Sequence, residues 1–127
     1  MNSTTKLLLL LGSVNAALVV MLGAFGAHAL KARISEQMIA VYQTGIQYHF
    51  YHAIGLIILG LIAFHLPAST WIKWSGGLMF AGIIFFSGSL YLLALTNIRW
   101  LGAITPLGGT ALILAWLCLT VAIVKGS

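Results

Sequence analysis

The sequence predicts an all-α fold: an integral membrane four-helix bundle with a short interfacial amphipathic helix between the first and second spans. Three observations carry that prediction. Charged residues make up 6% of the 127-residue chain against 61% hydrophobic residues, whereas soluble domains carry roughly 25% charge. Four apolar runs occur, over about residues 7–30, 46–65, 74–95 and 106–124. About 20 residues at 1.5 Å per residue cross a hydrocarbon core of about 30 Å. No Asp, Glu, Lys or Arg falls inside any of the four runs. Lipid offers no partner to unpaired backbone groups, so the runs must be helices, and they are too long and too uniformly apolar for barrel strands. The chain reads as one transmembrane domain, residues 1–127.

The first run ends in LGAFGAHALKAR, Leu22 to Arg33. Ala27-His28-Ala29 has the form of a signal-peptide cleavage site, but a secretory apolar region is about 7–15 residues long. The run from Leu7 to Ala27 already spans, so an uncleaved helix is expected. In the next stretch, ISEQMIAVYQTGIQ, residues Ile34, Met38, Val41, Tyr42 and Gly45 share one helical face. Ser35 is placed to cap this helix, and Glu36, the only acid, favours its N-terminal dipole. The expectation is a helix over about 34–45 lying in the interface; the alternative is an extension of the second span.

The later connections carry helix-start signals. Ser69 or Thr70 can cap the third helix after Pro67, and Thr105-Pro106 reads as a cap followed by proline at the first helical position. Trp71, Trp74 and Trp100 fall where interfacial aromatic anchors belong, with Lys73 and Arg99 free to snorkel. Short loops make the second and third helices, and the third and fourth, antiparallel neighbours. Four spans put both termini on one side. Lys6, Lys73 and Lys125 then oppose Lys31, Arg33 and Arg99, a balance that leaves orientation unassigned by the positive-inside rule. Basic charge spread over both interfaces argues for contact with lipid headgroups and against nucleic acid.

Small residues recur at four-residue spacing: Gly12 and Ala16, Gly23 and Ala27, Gly77 and Ala81, Ala111 and Ala115. Such pairs let helix backbones approach closely in lipid. Gly23, Ala27, Gly77, Ala81, Gly88, Gly108 and Gly109 are the expected packing positions. Asn15 and Ser87 lie near mid-membrane and should bond across helices, and Trp116, deep in the fourth run, needs an internal partner for its indole N–H.

The chain lacks the groups that most chemistry needs. Intramembrane charges of the kind that serve pumps and ion-coupled transporters are absent, and a lone interfacial carboxylate cannot serve paired-carboxylate chemistry. Cys118 is the single cysteine, which excludes an intrachain disulfide. No enzyme activity, cofactor or metal is expected. His49 and His52 share a helical face in YHFYH, but two ligands do not complete a tetrahedral site, and histidines hydrogen-bonded to backbone, water or lipid are the plainer reading.

Folding the hairpins together gathers polar residues toward one membrane face. The candidate polar pocket comprises His28, Gln43, Tyr48, His52, Ser87, Tyr91 and Thr105. By helical rise, His28, His52 and Tyr91 fall within roughly 3–9 Å of the same boundary. The competing reading is that each ring simply faces headgroups.

The same stretches carry a resemblance. GAFGAHALK (Gly23–Lys31), YQTGIQYHFYHAIGL (Tyr42–Leu56), FSGSLYLLAL (Phe86–Leu95) and AITPLGG (Ala103–Gly109) are similar to motifs of the YgdD/YwdK family. These are small bacterial inner-membrane proteins, also described as domain-of-unknown-function 423. The match covers essentially the whole chain. It implies a four-helix protein of the bacterial inner membrane and supplies no activity. His28, Gln43, Thr44, Gly45, Tyr48, His52, Ser87, Gly88, Ser89, Tyr91, Thr105, Pro106, Gly108 and Gly109 match the family pattern. His49 falls where other members carry other residues, which leaves His28 and His52 as the implied pair. Three functions remain open. Close-packed small residues favour a structural or accessory protein that packs with itself or a larger membrane complex. The one-sided polar cluster favours binding of a lipid, quinone or other amphiphile. The third is an oligomeric transporter or channel, which the lack of intramembrane charge disfavours.

Overall fold

The computed structural model describes residues 1–127 and is all helical, with four helices long and apolar enough to cross a membrane: Ser3–Leu30, Glu36–His65, Thr70–Thr96 and Arg99–Lys125. The first packs along the second and the third along the fourth, and the second also lies against the C-terminal half of the third.

Each helix starts where its local chemistry directs. The Asn2 side chain accepts from the Thr5 N–H at 2.8 Å, Ser35 from Met38 N–H at 3.2 Å, and Ser69 from Ile72 N–H at 3.2 Å, each satisfying an amide that the helix leaves free. The third helix stops at Asn97, whose left-handed backbone (φ 58°) lets its N–H reach the Leu93 carbonyl. A short 3₁₀ turn, Arg99–Ala103, leads into the fourth α-helix at Thr105. Thr105 does not cap that helix as its sequence position suggests. Its hydroxyl bonds Ser89 Oγ at 2.6 Å on the third helix instead.

There is no separate interfacial helix. The second helix runs unbroken from Glu36 to His65, 30 residues, or about 45 Å, so residues 36–45 are its first turns. The reason lies in the phase of its buried positions. Met38, Tyr42, Gly45, His49, His52, Leu56, Leu59 and Ala63 are buried and follow one another in alternating steps of four and three. The amphipathic face of the expected short helix therefore continues straight into the span, with no residue that would interrupt it. The same alternation orders Thr5, Leu8, Gly12, Asn15 and Val19 on the first helix, and Gly108, Leu112, Ala115, Leu119 and Ala122 on the fourth. A mean spacing of 3.5 is the signature of knobs-into-holes packing at shallow crossing angles.

The third helix keeps this rhythm only by changing phase. Ile72, Gly76, Met79 and Ile83 are buried, then Ser87, Leu90 and Ala94; the step from Ile83 to Ser87 is four where three is due. A π-helical turn over Ile83–Ser87 absorbs the extra residue. A second π turn, Gly26–Leu30, ends the first helix.

The apolar core falls into two parts. Leu8, Leu56, Leu59, Ala63, Ile72, Met79, Ile83, Leu112, Ala115, Leu119 and Ala122 fill the half nearer the termini, and Leu30, Met38, Tyr42 and Ala94 the opposite end. Large apolar residues such as Leu7, Val14, Phe50, Leu61, Ile113 and Leu117 face outward.

Candidate functional site

Between the two apolar clusters lies a layer of buried polar side chains. His49 is its centre, at 2% exposure. Its Nε2 lies 2.8 Å from Asn15 Oδ1 on the first helix, and its Nδ1 lies 2.8 Å from the Tyr91 hydroxyl on the third. The partners fix the proton positions. Asn15 Nδ2 donates to the Leu11 carbonyl at 2.8 Å, so the oxygen of the amide faces the ring and must accept from Nε2–H. The neutral ring then has a lone pair on Nδ1, which accepts from Tyr91 O–H. Three helices are joined through one imidazole.

His52, one helical turn further along, holds the opposite tautomer. Its Nδ1 lies 2.6 Å from the Tyr48 carbonyl and must donate to it, while Nε2 accepts from the Trp116 indole N–H at 3.0 Å. This ties the second helix to the fourth and supplies the internal partner that Trp116 requires. Both histidines have their single lone pair engaged by a donor, so neither ring offers a free nitrogen to a metal in this arrangement.

Hydroxyls pin the remaining helix pairs. Ser87 Oγ donates to the Gly45 carbonyl at 2.7 Å, Ser75 Oγ to the Ala115 carbonyl at 2.6 Å, and the Tyr42 hydroxyl to the Leu22 carbonyl. Asn2 Nδ2 adds a bond to the Ala63 carbonyl at 3.2 Å. Thr5 Oγ1 is the one fully buried side-chain oxygen or nitrogen without a partner.

The residues expected to share one pocket are thus distributed over several places. Tyr91, His52, Ser87 and Thr105 take part in separate interhelical bonds. Tyr48 is exposed, with its ring 4.7 Å from that of Phe86. Gln43 is exposed on the wall of a lateral groove. His28 is also exposed and takes no part in the layer; the histidine bonded to Tyr91 is His49. The buried positions of the first helix explain this. Stepping on from Val19 they reach Gly26 and Leu30, and His28 falls between them on the outward side. His49, which the family resemblance leaves outside the implied pair, lies on the buried stripe, and that stripe was the signal available in the sequence.

The packing glycines divide in a similar way. A Cβ on Gly108 would collide with the backbone of Phe85 and Phe86, so this position is a true close crossing, and a Cβ on Gly109 would make ordinary contact with the Phe86 ring. At Gly77 and Gly88, by contrast, a Cβ would meet nothing within 4 Å, and at Gly23 only Ile46 Cγ2 at 3.9 Å. Ala27 is exposed and Ala81 half-buried. Small residues at four-residue spacing mark a close crossing only when they also fall on the buried stripe, as Gly12 does: a Cβ there would stand 2.9 Å from the Ala53 carbonyl oxygen.

The family profile described as "Protein of unknown function (DUF423)" matches residues 22–109. The chain belongs to this family. The match begins at the end of the first helix and closes on Gly109, so it takes in His49, His52, Tyr91 and the π turn of the third helix. Relatives in the family include the UPF0382 membrane protein YwdK of Bacillus subtilis, 51% identical over 94% of this chain and 98% of its own length. UPF0382 membrane protein SERP0230 of Staphylococcus epidermidis is 46% identical, covering 94% and 97%, and UPF0382 membrane protein SAB0533 of Staphylococcus aureus is 47% identical over the same shares. No solved structure matches this chain. With relatives named membrane proteins and four helices of spanning length, this family member is a membrane protein.

Proposed function

We propose that this chain is a rigid accessory protein of the bacterial inner membrane, acting by packing its lipid-facing surface against a second copy or a larger membrane complex. The observation that carries this reading is the polar layer. Asn15, His49, His52, Ser75, Ser87 and Tyr91 each bond across helices or to backbone, and their partners leave no polar side chain free at the bundle's centre. A transport path needs groups that release one partner and take another; these are held in fixed pairs. The absence of charge within the spans supports the same conclusion. No catalytic role is assigned to any residue: the single acid, Glu36, is exposed in the first turn of the second helix, remote from the buried histidines. The bacterial origin of the relatives supports the location.

Site-specific photo-crosslinkers at the outward-facing Leu18, Leu61 and Leu117 in native membranes test this. A discrete adduct at one or more positions, matching a second copy or one partner protein, is the expected result. Lipid adducts alone at all three, together with a monomer in native mass spectrometry, would remove the accessory reading.

A further inference from the structure

A groove of about 440 Å³ opens sideways between the end of the first helix and the first half of the second. Gly23, Gly26 and Ala27 form one wall; Ala40 and the Tyr42 ring contribute to the other. Gln43 and Gln47 stand one turn apart along it and are exposed. Thr44 beside them is turned back onto its own helix, bonding the Ala40 carbonyl at 3.1 Å, whereas the two amides bond nothing within the chain.

Depth makes those amides informative. The second helix is about 45 Å long and the hydrocarbon about 30 Å thick. With equal overhang at the two ends, Gln43 lies near the boundary and Gln47 roughly one turn further in. An amide at that depth needs a partner, and the polar groups a bilayer offers there are glycerol esters and phosphate. The charge at the groove's mouth selects among lipids. Lys31 follows Ala27 by four residues, Arg33 lies two further on, and both are exposed; Glu36, on the same side of the membrane, is the one opposing acid. A concave wall of small residues suits an acyl chain, while two turns of a helix 10–12 Å wide would fill roughly twice the groove's volume.

We infer that this groove holds one anionic phospholipid, with its phosphate toward Lys31 and Arg33, its ester oxygens accepting from Gln43 and Gln47, and one acyl chain along Gly23, Gly26 and Ala27. This goes beyond the packing role and stands on separate residues.

The test titrates delipidated protein with phosphatidylglycerol and with phosphatidylcholine and counts bound lipid by native mass spectrometry. One phosphatidylglycerol per chain is expected, with at least fivefold preference over phosphatidylcholine. Gln43→Leu with Gln47→Leu should lower occupancy at least tenfold and leave the melting temperature of the lipid-free protein unchanged. Lys31→Gln with Arg33→Gln should retain a lipid and erase the preference. Undiminished occupancy in the double-leucine variant overturns the inference, as does a lipid-free dimer of the parent that the same variant dissociates. Should the double-leucine variant fail to fold, the charge variant decides, and an unchanged preference there overturns the inference.

Discussion

Replacing His49 by leucine probes the junction on which three helices meet. The substitution roughly keeps side-chain bulk and removes two hydrogen bonds of 2.8 Å, to Asn15 and to Tyr91. Interhelical bonds in membrane proteins average about 0.6 kcal/mol and reach about 1.7 kcal/mol, so the pair accounts for about 1–3 kcal/mol. Asn15, at 7% exposure, is left with an unpaired carbonyl oxygen, which adds about 1 kcal/mol or more. Tyr91 is only half-buried and can turn its hydroxyl outward, so it adds little. The expected loss is about 2–4 kcal/mol, measured by reversible unfolding in mixed micelles. Tyr91→Phe alone should cost about 1 kcal/mol, since it removes one bond and orphans one lone pair. The double variant should be no less stable than His49→Leu, because the bond removed by the second change is already gone. Strict additivity of the two, or a loss below about 0.5 kcal/mol for His49→Leu, would mean that the imidazole does not bridge these helices.

Three further outcomes follow from the same geometry. Gly108→Ala forces a methyl against the backbone of Phe85 and Phe86 and should destabilise by about 1–3 kcal/mol, while Gly88→Ala, with open space around it, should be neutral or stabilise by up to about 1 kcal/mol; equal melting temperatures in detergent would refute the distinction. His28→Ala should leave stability within about 0.5 kcal/mol of the parent, whereas His52→Ala strands the Trp116 indole N–H and should cost about 1–3 kcal/mol, and the reverse order in the same unfolding assay would return His28 to the bundle's interior. Reporter fusions after Lys31, Trp71, Arg99 and Lys125 should alternate between the two sides of the membrane, and two successive fusions on one side would delete a span.

The fold was legible because lipid constrains it so strongly. Four charge-free runs admit four helices, and Ser35, Ser69 and Asn97 mark boundaries through local hydrogen bonds that need no knowledge of neighbours. The polar layer was harder to read. Asn15, Ser87 and Trp116 require internal partners by their depth alone and have them, but which histidine they meet depends on rotational phase. Distance from the membrane boundary places His28, His52 and Tyr91 at similar height; it cannot say which side of its helix each occupies. The alternation of four and three through Met38, Tyr42, Gly45, His49 and His52 contains that answer, as it contains the continuity of the second helix. The π turns were the part hidden from periodicity, since each breaks the very spacing used to follow a face.

The turn at Ile83–Ser87 has a consequence for how this chain tolerates change in length. Removing any one residue from it would let the third helix close into a regular α-helix. The segment beyond would then swing by about 100° about the helix axis, carrying Tyr91 away from His49 and Ser89 away from Thr105, while Ile72, Ser75 and Met79 stayed in place. One deleted codon would thus uncouple half of the helix from its neighbours and leave the other half docked, a lesion that no single substitution at the same five positions would reproduce.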